Sequence, residues 1–183
     1  MKIIIGIVGR IASGKTTVTD YLISKHSAVS FRFSDMLRDV LKRMRLPENR
    51  ANLQTISSAL RQNFGDDIMS KVLAEDVKNS SSRLIITEGV RRPSDIKNLK
   101  NLDNFHIVSI SADQQTRYDR LTGRKENTDD KDKSWQQFLE QDEKEPEKKI
   151  DEIALLADYT IDNNKSMPEL FRQVDDIIDK VCK

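Results

Sequence analysis

The sequence predicts an α/β domain with a five-stranded parallel sheet covered by helices on both faces. Three observations carry that expectation. The Ile-rich run Lys2–Val8 passes directly into Gly9–Thr16 and then into a helical pattern, short apolar runs alternate with amphipathic stretches along the chain, and each apolar run ends where side chains turn polar. Parallel strands buried on both faces read as continuous apolar runs. Their alternation with helices gathers loops, and hence a site, at the carboxyl edge of the sheet.

Thr16–Ser24 supplies the first helix, with Val18, Leu22 and Ile23 apolar. Val29–Phe33 alternates as a short second strand. Ser34 or Asp35 is suited to cap a helix over Asp35–Met44, which Leu46-Pro47-Glu48-Asn49 interrupts. From Asn49 to Asn79 the pattern gives two helices parted near Asn63–Asp66. Leu53, Ile56, Leu60 and Phe64 share a face of the first, and Ile68, Val72 and Val77 are apolar positions of the second. Residues 35–80 thus form a helical arm beside the sheet. Leu84–Thr87 is a third strand ending at Glu88-Gly89, Pro93–Leu102 a connecting helix, Phe105–Ile110 a fourth strand and Ser111–Leu121 another helix. Residues 124–147 are rich in Lys, Asp, Glu and Gln, with Trp135, Phe138 and Leu139 as the main apolar mass, and are expected to form a mobile, largely solvated, lid-like insertion. Ile150–Leu156 returns to helical periodicity, Asp158–Ile161 is a brief fifth strand, and Pro168–Val181 closes the chain with Leu170, Val174, Ile177, Ile178 and Val181 toward the core.

A chain of 183 residues and 21.1 kDa buries one substantial core, so a single domain with a small insertion is expected. Its 31 Lys+Arg and 30 Asp+Glu nearly cancel, which removes the electrostatic reason to expect a nucleic-acid or membrane partner. The first strand begins at once, leaving no room for a leader, and no run reaches transmembrane length. A soluble, cytoplasmic protein is expected, and a monomer or a homodimer fits equally. Cys182 has no second cysteine to pair with, and His26 and His106 lack metal-ligand spacing to another His or Cys.

Gly9-Arg10-Ile11-Ala12-Ser13-Gly14-Lys15-Thr16 fits G-x-x-x-x-G-K-[ST] in the strand–loop–helix context that pattern requires, and so predicts the P-loop NTPase fold and an ATP-type nucleotide with Mg²⁺. Gly9 and Gly14 let backbone N–H groups curve around phosphate oxygens. Lys15 brings a cation to the outer phosphates, the Thr16 hydroxyl reaches Mg²⁺, and the helix beginning at Thr16-Thr17 adds the field of its N-terminus.

Further candidates stand at strand ends. Asp35 follows the second strand, where a carboxylate can hold Mg²⁺-bound water or orient an acceptor, and Arg38 one turn later can grip a phosphate with two donors. Glu88 ends the third strand and is suited to a water-mediated contact with Mg²⁺. Arg91 and Arg92 follow it with two guanidinium groups for an acceptor phosphate, and Arg61 on the arm is a further candidate. Arg120 and Arg124, spaced i,i+4, place two cations together, an arrangement that polyphosphate between them would relieve. Trp135 is read as a hydrophobic anchor of the lid.

Taken with these strand-end residues, the chain resembles the nucleoside monophosphate kinase-like group, which includes adenylate, deoxynucleotide and dephospho-coenzyme A kinases. Ser34-Asp35-Met36-Leu37-Arg38 is similar to the adenylate kinase Asp-Met-Leu-Arg motif, which implies Mg²⁺-linked water at Asp35 and acceptor phosphate at Arg38. Glu88-Gly89-Val90-Arg91-Arg92 resembles the acidic-Gly-x-x-Arg segment, with Arg91 in place of the usual Pro, so that either Arg91 or Arg92 is the equivalent residue. Asp119–Arg124 resembles the opening of an adenylate kinase lid, which implies ATP contacts for Arg120 and Arg124, yet no arginine follows until Arg172. The run from Ala157 to Asn164 resembles the terminal segment of dephospho-coenzyme A kinases and implies that Asp162, Asn163 and Asn164 lie near the ATP base. The activity implied is transfer of the γ-phosphoryl group of ATP to a nucleoside or deoxynucleoside monophosphate, with Lys15, Asp35, Arg91 and Arg124 catalytic. Phosphorylation of a ribose hydroxyl of dephospho-coenzyme A, and an NTP-driven binding switch, are the alternatives.

Overall fold

A computed structural model describes residues 1–123, 133–143 and 145–182, with the backbone alone at 145 and 146. Strand β1 (Ile3–Val8) is buried along its whole length and leads through the glycine loop into α1 (Lys15–His26). There follow β2 (Val29–Arg32), α2 (Phe33–Arg43), α3 (Arg50–Phe64), α4 (Ile68–Asn79), β3 (Leu84–Glu88), α5 (Pro93–Ile96), a 3₁₀ turn at Leu99–Asn101, β4 (Phe105–Ser111), α6 (Gln114–Gly123), α7 (Trp135–Asp142), α8 (Glu145–Ala154), β5 (Tyr159–Asp162) and α9 (Met167–Val181).

The five strands form one parallel sheet in the order β2-β3-β1-β4-β5. Alternation along β1 divides the core between its two faces. Ile3, Ile5 and Ile7 pack with Val18 and Leu22 of α1 and with Leu170, Val174 and Ile178 of α9. Ile4 and Val8 face Leu37, Met69, Leu73, Val77, Leu99 and Ile153 on the other side. From β1 the chain first builds the β3 and β2 side and later returns to build the β4 and β5 side. The carboxyl end of β1 is therefore the topological switch point at which such a sheet opens a crevice.

Three local expectations change. The connecting segment after Pro93 is not one helix to Leu102 but α5 followed by the 3₁₀ turn, because the Asn98 N–H donates to Ser70 Oγ (3.1 Å) and leaves the helical ladder. In α3, Leu53, Ile56 and Leu60 are partly buried against the core, whereas Phe64 is 63% exposed. Residues 135–142 are not a solvated excursion. Ser134 caps α7 by accepting from the Gln137 N–H, Phe138 and Asp142 are fully buried, and Trp135 stacks on Phe138 and meets the Tyr118 ring edge-on. Residues 124–132 of that segment lie outside the described residues. Among the described residues no helix is long and apolar enough to cross a membrane.

Candidate active site

Hydrogen bonds close the loop between β1 and α1. Ser13 N–H donates to Arg10 O (3.2 Å), and Gly14 turns the chain into α1 at φ 104°. A Cβ on Gly14 would stand 2.1 Å from Asn163 Nδ2, so both its conformation and its surroundings demand glycine. Ala12 adopts φ 58°, a left-handed conformation that costs a non-glycine residue about 1–2 kcal/mol. Lys15 Nζ donates to Gly9 O (2.7 Å) and Arg10 O (2.9 Å), which brings the ammonium back over the crest of the loop. Thr16 is exposed and Thr17 half-buried in the first turn of α1, at the helix N-terminus that the glycine loop leads into.

On the β4–β5 side, Asn163 is buried and donates Nδ2 to Ser13 O (2.8 Å), while Arg120 Nη2 donates to Asn163 O (2.9 Å). Arg120 Nη1 and Ser13 Oγ are buried with no hydrogen-bond partner among the described residues. Buried donors are rarely left unpaired. Two beside one glycine loop fit an anionic, oxygen-rich ligand.

On the β2–β3 side, register places Arg32 beside Glu88. Glu88 Oε1 accepts from Ser30 Oγ (2.5 Å) and from Arg32 Nε (3.4 Å). Asp35 lies inside the first turn of α2 and accepts from the Arg32 N–H (3.0 Å), so it caps the helix from the third position and not as the flanking residue. Arg38 donates to Ser34 Oγ (2.5 Å) and stands 3.5 Å from Asp35 and 3.6 Å from Glu48. Buried Asp95 organises the remaining arginines. Its Oδ1 accepts from Arg61 Nη2 (2.7 Å), and its Oδ2 accepts from the Arg91 and Arg92 N–H groups (2.9 and 3.0 Å). Arg61 also reaches Asp66 O, and Arg92 lies 3.6 Å from the Asp66 carboxylate. The Arg91 side chain is exposed, and Arg124 lies outside the described residues. Asp95 carries a signal in the sequence, an acid three residues after Arg92 with Pro93 opening the helix.

Among the described residues no three His, Cys, Asp or Glu side chains group closely enough to hold a metal ion. The Thr16 hydroxyl and the Asp35 and Glu88 carboxylates are hard oxygen donors, the kind that a cation such as Mg²⁺ takes.

A further set of residues has no local signature. Arg10 turns away from the crevice, donating to Asp142 Oδ2 (2.7 Å) through Nη1 and to Asp151 through Nε and Nη2 (3.0 and 2.5 Å). Arg117, itself buried, holds both Asp142 oxygens (2.6 and 2.7 Å) and reaches Ile11 O (3.4 Å). Gln114 adds a bond to Asp142 (3.1 Å), and the Ile11 N–H donates to Glu147 Oε2 (3.0 Å). The hydrogen bond to Asp151 raises the Arg10 pKa further, outweighing partial burial. Burial pushes the Asp142 carboxyl up, but hydrogen bonds from Arg117 and Gln114, with the charges of Arg117 and Arg10, outweigh it and hold the group below the usual carboxylate range.

Residues 5–148 match the family model described as AAA domain. A UPF0200 protein of Pyrococcus abyssi is 28% identical over 152 residues, 80% of each chain, and one of Methanococcus maripaludis is 27% identical over 180 residues, 97% of each. Among solved structures the chain is similar to a shikimate kinase from Bacteroides thetaiotaomicron (TM-score 0.64, 14% identity, 99% of each chain). It is also similar to a gluconokinase from Sinorhizobium meliloti (TM-score 0.58, 12% identity, 98% of this chain and 93% of that one). At these identities the likeness is one of fold, a P-loop kinase-like architecture.

Proposed function

The chain belongs to the AAA-domain family, and on that footing we propose that it is a phosphotransferase moving the γ-phosphoryl group of ATP to a nucleoside or deoxynucleoside monophosphate. The observation that carries this reading is that Asp95 joins the Arg61 guanidinium to the backbone of Arg91 and Arg92, with the Arg92 guanidinium beside Asp66, at the carboxyl edge of the strand next to the phosphate loop. A monophosphate already carries an anionic oxygen. It needs to be gripped and neutralised more than deprotonated, and planar guanidinium groups do that.

In this reading Gly9–Thr17 cradles the ATP phosphates and Lys15 meets the outer ones. Arg120 and Asn163 serve the donor nucleotide, a role supported by the unpaired Nη1 of Arg120. Arg38, Arg61, Arg91 and Arg92 bind the acceptor, and Arg91 and Arg124 follow the transferring charge. Thr16 would hold Mg²⁺, with Asp35 and Glu88 contributing through water, and the ion would supply neutralisation of phosphate charge. Segment 124–147 is the lid that excludes water.

A second reading is transfer to a hydroxyl, such as that of dephospho-coenzyme A or of the hydroxy acids named in its structural neighbours. Asp35 favours it, being a half-exposed carboxylate available as a general base. Labelled ATP and GTP offered with ribo- and deoxyribonucleoside monophosphates, dephospho-coenzyme A, shikimate and gluconate test both. Transfer to a monophosphate sustains the first reading, and transfer to hydroxyl acceptors alone replaces it with the second. Hydrolysis that answers only to a macromolecular partner would make the protein a nucleotide-driven switch.

A further inference from the structure

Asp142 is fully buried, and nothing in the proposed chemistry uses it. A buried carboxylate is retained only with its charge matched, and here two arginines match it from opposite sides, Arg10 from the phosphate loop and Arg117 from α6. The crest they border is strained at Ala12, and strain of that kind persists where the surroundings over-determine the backbone. Those surroundings are unusually complete. The Ile11 N–H is held by Glu147, the Ile11 carbonyl by Arg117 and the Arg10 side chain by Asp142 and Asp151. Lys15 bonds the Gly9 and Arg10 carbonyls, so the crest stands on the side where the loop lysine meets the outer phosphates.

We propose that Asp142 is a positioning residue for phosphoryl transfer. Through Arg10 it holds the Arg10–Ala12 crest in the shape that receives the outermost phosphate, while Arg117 holds Asp142 in place. The inference rests on the phosphotransferase reading above. It differs from a purely structural role, which would pin α7 to the body without discriminating between nucleotides.

Calorimetric titration of wild-type, R10Q, D142N and R10Q/D142N proteins with Mg-ATP and Mg-ADP separates the two. R10Q leaves the Arg117–Asp142 pair intact, so it reads the link even if D142N does not fold. Loss of the charge-assisted Arg10–Asp142 link should raise the ATP Kd about tenfold or more in each single variant, with a clearly smaller change for ADP. The double variant should be no worse than R10Q, which already lacks the Arg10 bonds to Asp142 and Asp151. Wild-type ATP affinity in R10Q, equal losses for ATP and ADP, or multiplying losses in the double variant would each overturn the inference while leaving the phosphotransferase reading standing. Wild-type protein that binds neither nucleotide would overturn that reading and this inference with it.

Discussion

Asn163 donates its side-chain N–H to the Ser13 carbonyl at 2.8 Å, a buried bond that ties the end of β5 to the phosphate loop across 150 residues of sequence. The same Nδ2 fills the space a Gly14 side chain would need. N163A should therefore leave the Ser13 carbonyl unsatisfied and destabilise by about 1–3 kcal/mol, a Tm loss of several degrees with weaker ATP binding. Differential scanning calorimetry and nucleotide titration check it. G14A should lose more ATP affinity than N163A, because it adds backbone strain to a direct clash.

Lys15 opens α1, outside both apolar clusters, and its Nζ donates to the Gly9 and Arg10 carbonyls of the loop. K15A should abolish most phosphoryl transfer while the circular dichroism spectrum and Tm stay near those of the wild type. A folded K15A protein that transfers phosphate at the wild-type rate to every acceptor tested would refute the site.

The parts legible in the sequence are those fixed by neighbours along the chain. A continuous Ile run can only be a buried strand, the glycine–lysine pattern is local, and α9 shows a clean apolar stripe from Leu170 to Val181. What escaped depends on distant partners. The break after α5 follows from the Ser70 hydroxyl taking the Asn98 N–H, and α7 is seated both by Phe138 and by Arg10 and Arg117 satisfying Asp142. A carboxylate in a polar stretch reads as solvated until its arginines are located. The positions of Asp35, Glu88, Arg91 and Arg92 just at or after strand ends were legible because strand ends were, whereas the way Asp95 joins Arg61 to the Arg91-Arg92 backbone needed the folded chain.

Among the described residues Arg38 is held by Ser34 and Asp35 of its own helix and by Glu48, partners it can exchange for a phosphate. R38A should raise the acceptor KM about tenfold or more and the ATP KM much less, as expected for losing one charge-assisted contact. R91A should weaken acceptor use and also slow turnover, since its exposed guanidinium is assigned to the moving charge. Steady-state kinetics with each substrate varied in turn distinguish the two. An unchanged acceptor KM in R38A would exclude a clamp role.

Asp142 also predicts a pH dependence. Its folded pKa lies below its unfolded value of about 3.9, so as acid is added the unfolded chain takes the proton first. The stability it contributes is then full above about pH 4 and is lost as pH falls through the folded pKa. D142N lacks the titrating group, so the stability gap between wild type and D142N should hold steady near neutrality and narrow in acid. Urea unfolding of both proteins over that range measures it, and a gap that stays constant down to the acid limit would contradict the assignment.

Arg124 and Trp135 test the lid. Arg124 follows α6 directly in the sequence, and Trp135 packs against Tyr118 of that helix and Phe138 of α7, so a change in that packing alters the surroundings of the indole. The resemblance to adenylate kinases implies lid arginines at the transferring phosphate, and here no arginine follows Arg124 until Arg172. Arg124 should then carry a large share of the charge stabilisation. R124A is expected to lower turnover by roughly ten- to thousandfold, a loss of about 1.4–4 kcal/mol, with little change in Tm. A bisubstrate analogue should alter Trp135 fluorescence in stopped flow as the segment closes, and single-turnover transfer with real substrates reads the chemical step apart from that motion. A silent fluorescence trace would remove only Trp135 as a reporter. Normal single-turnover transfer by R124A would show that the developing charge is met by other cations, and Lys148 and Lys149 of α8, just beyond the segment, would be the next to replace.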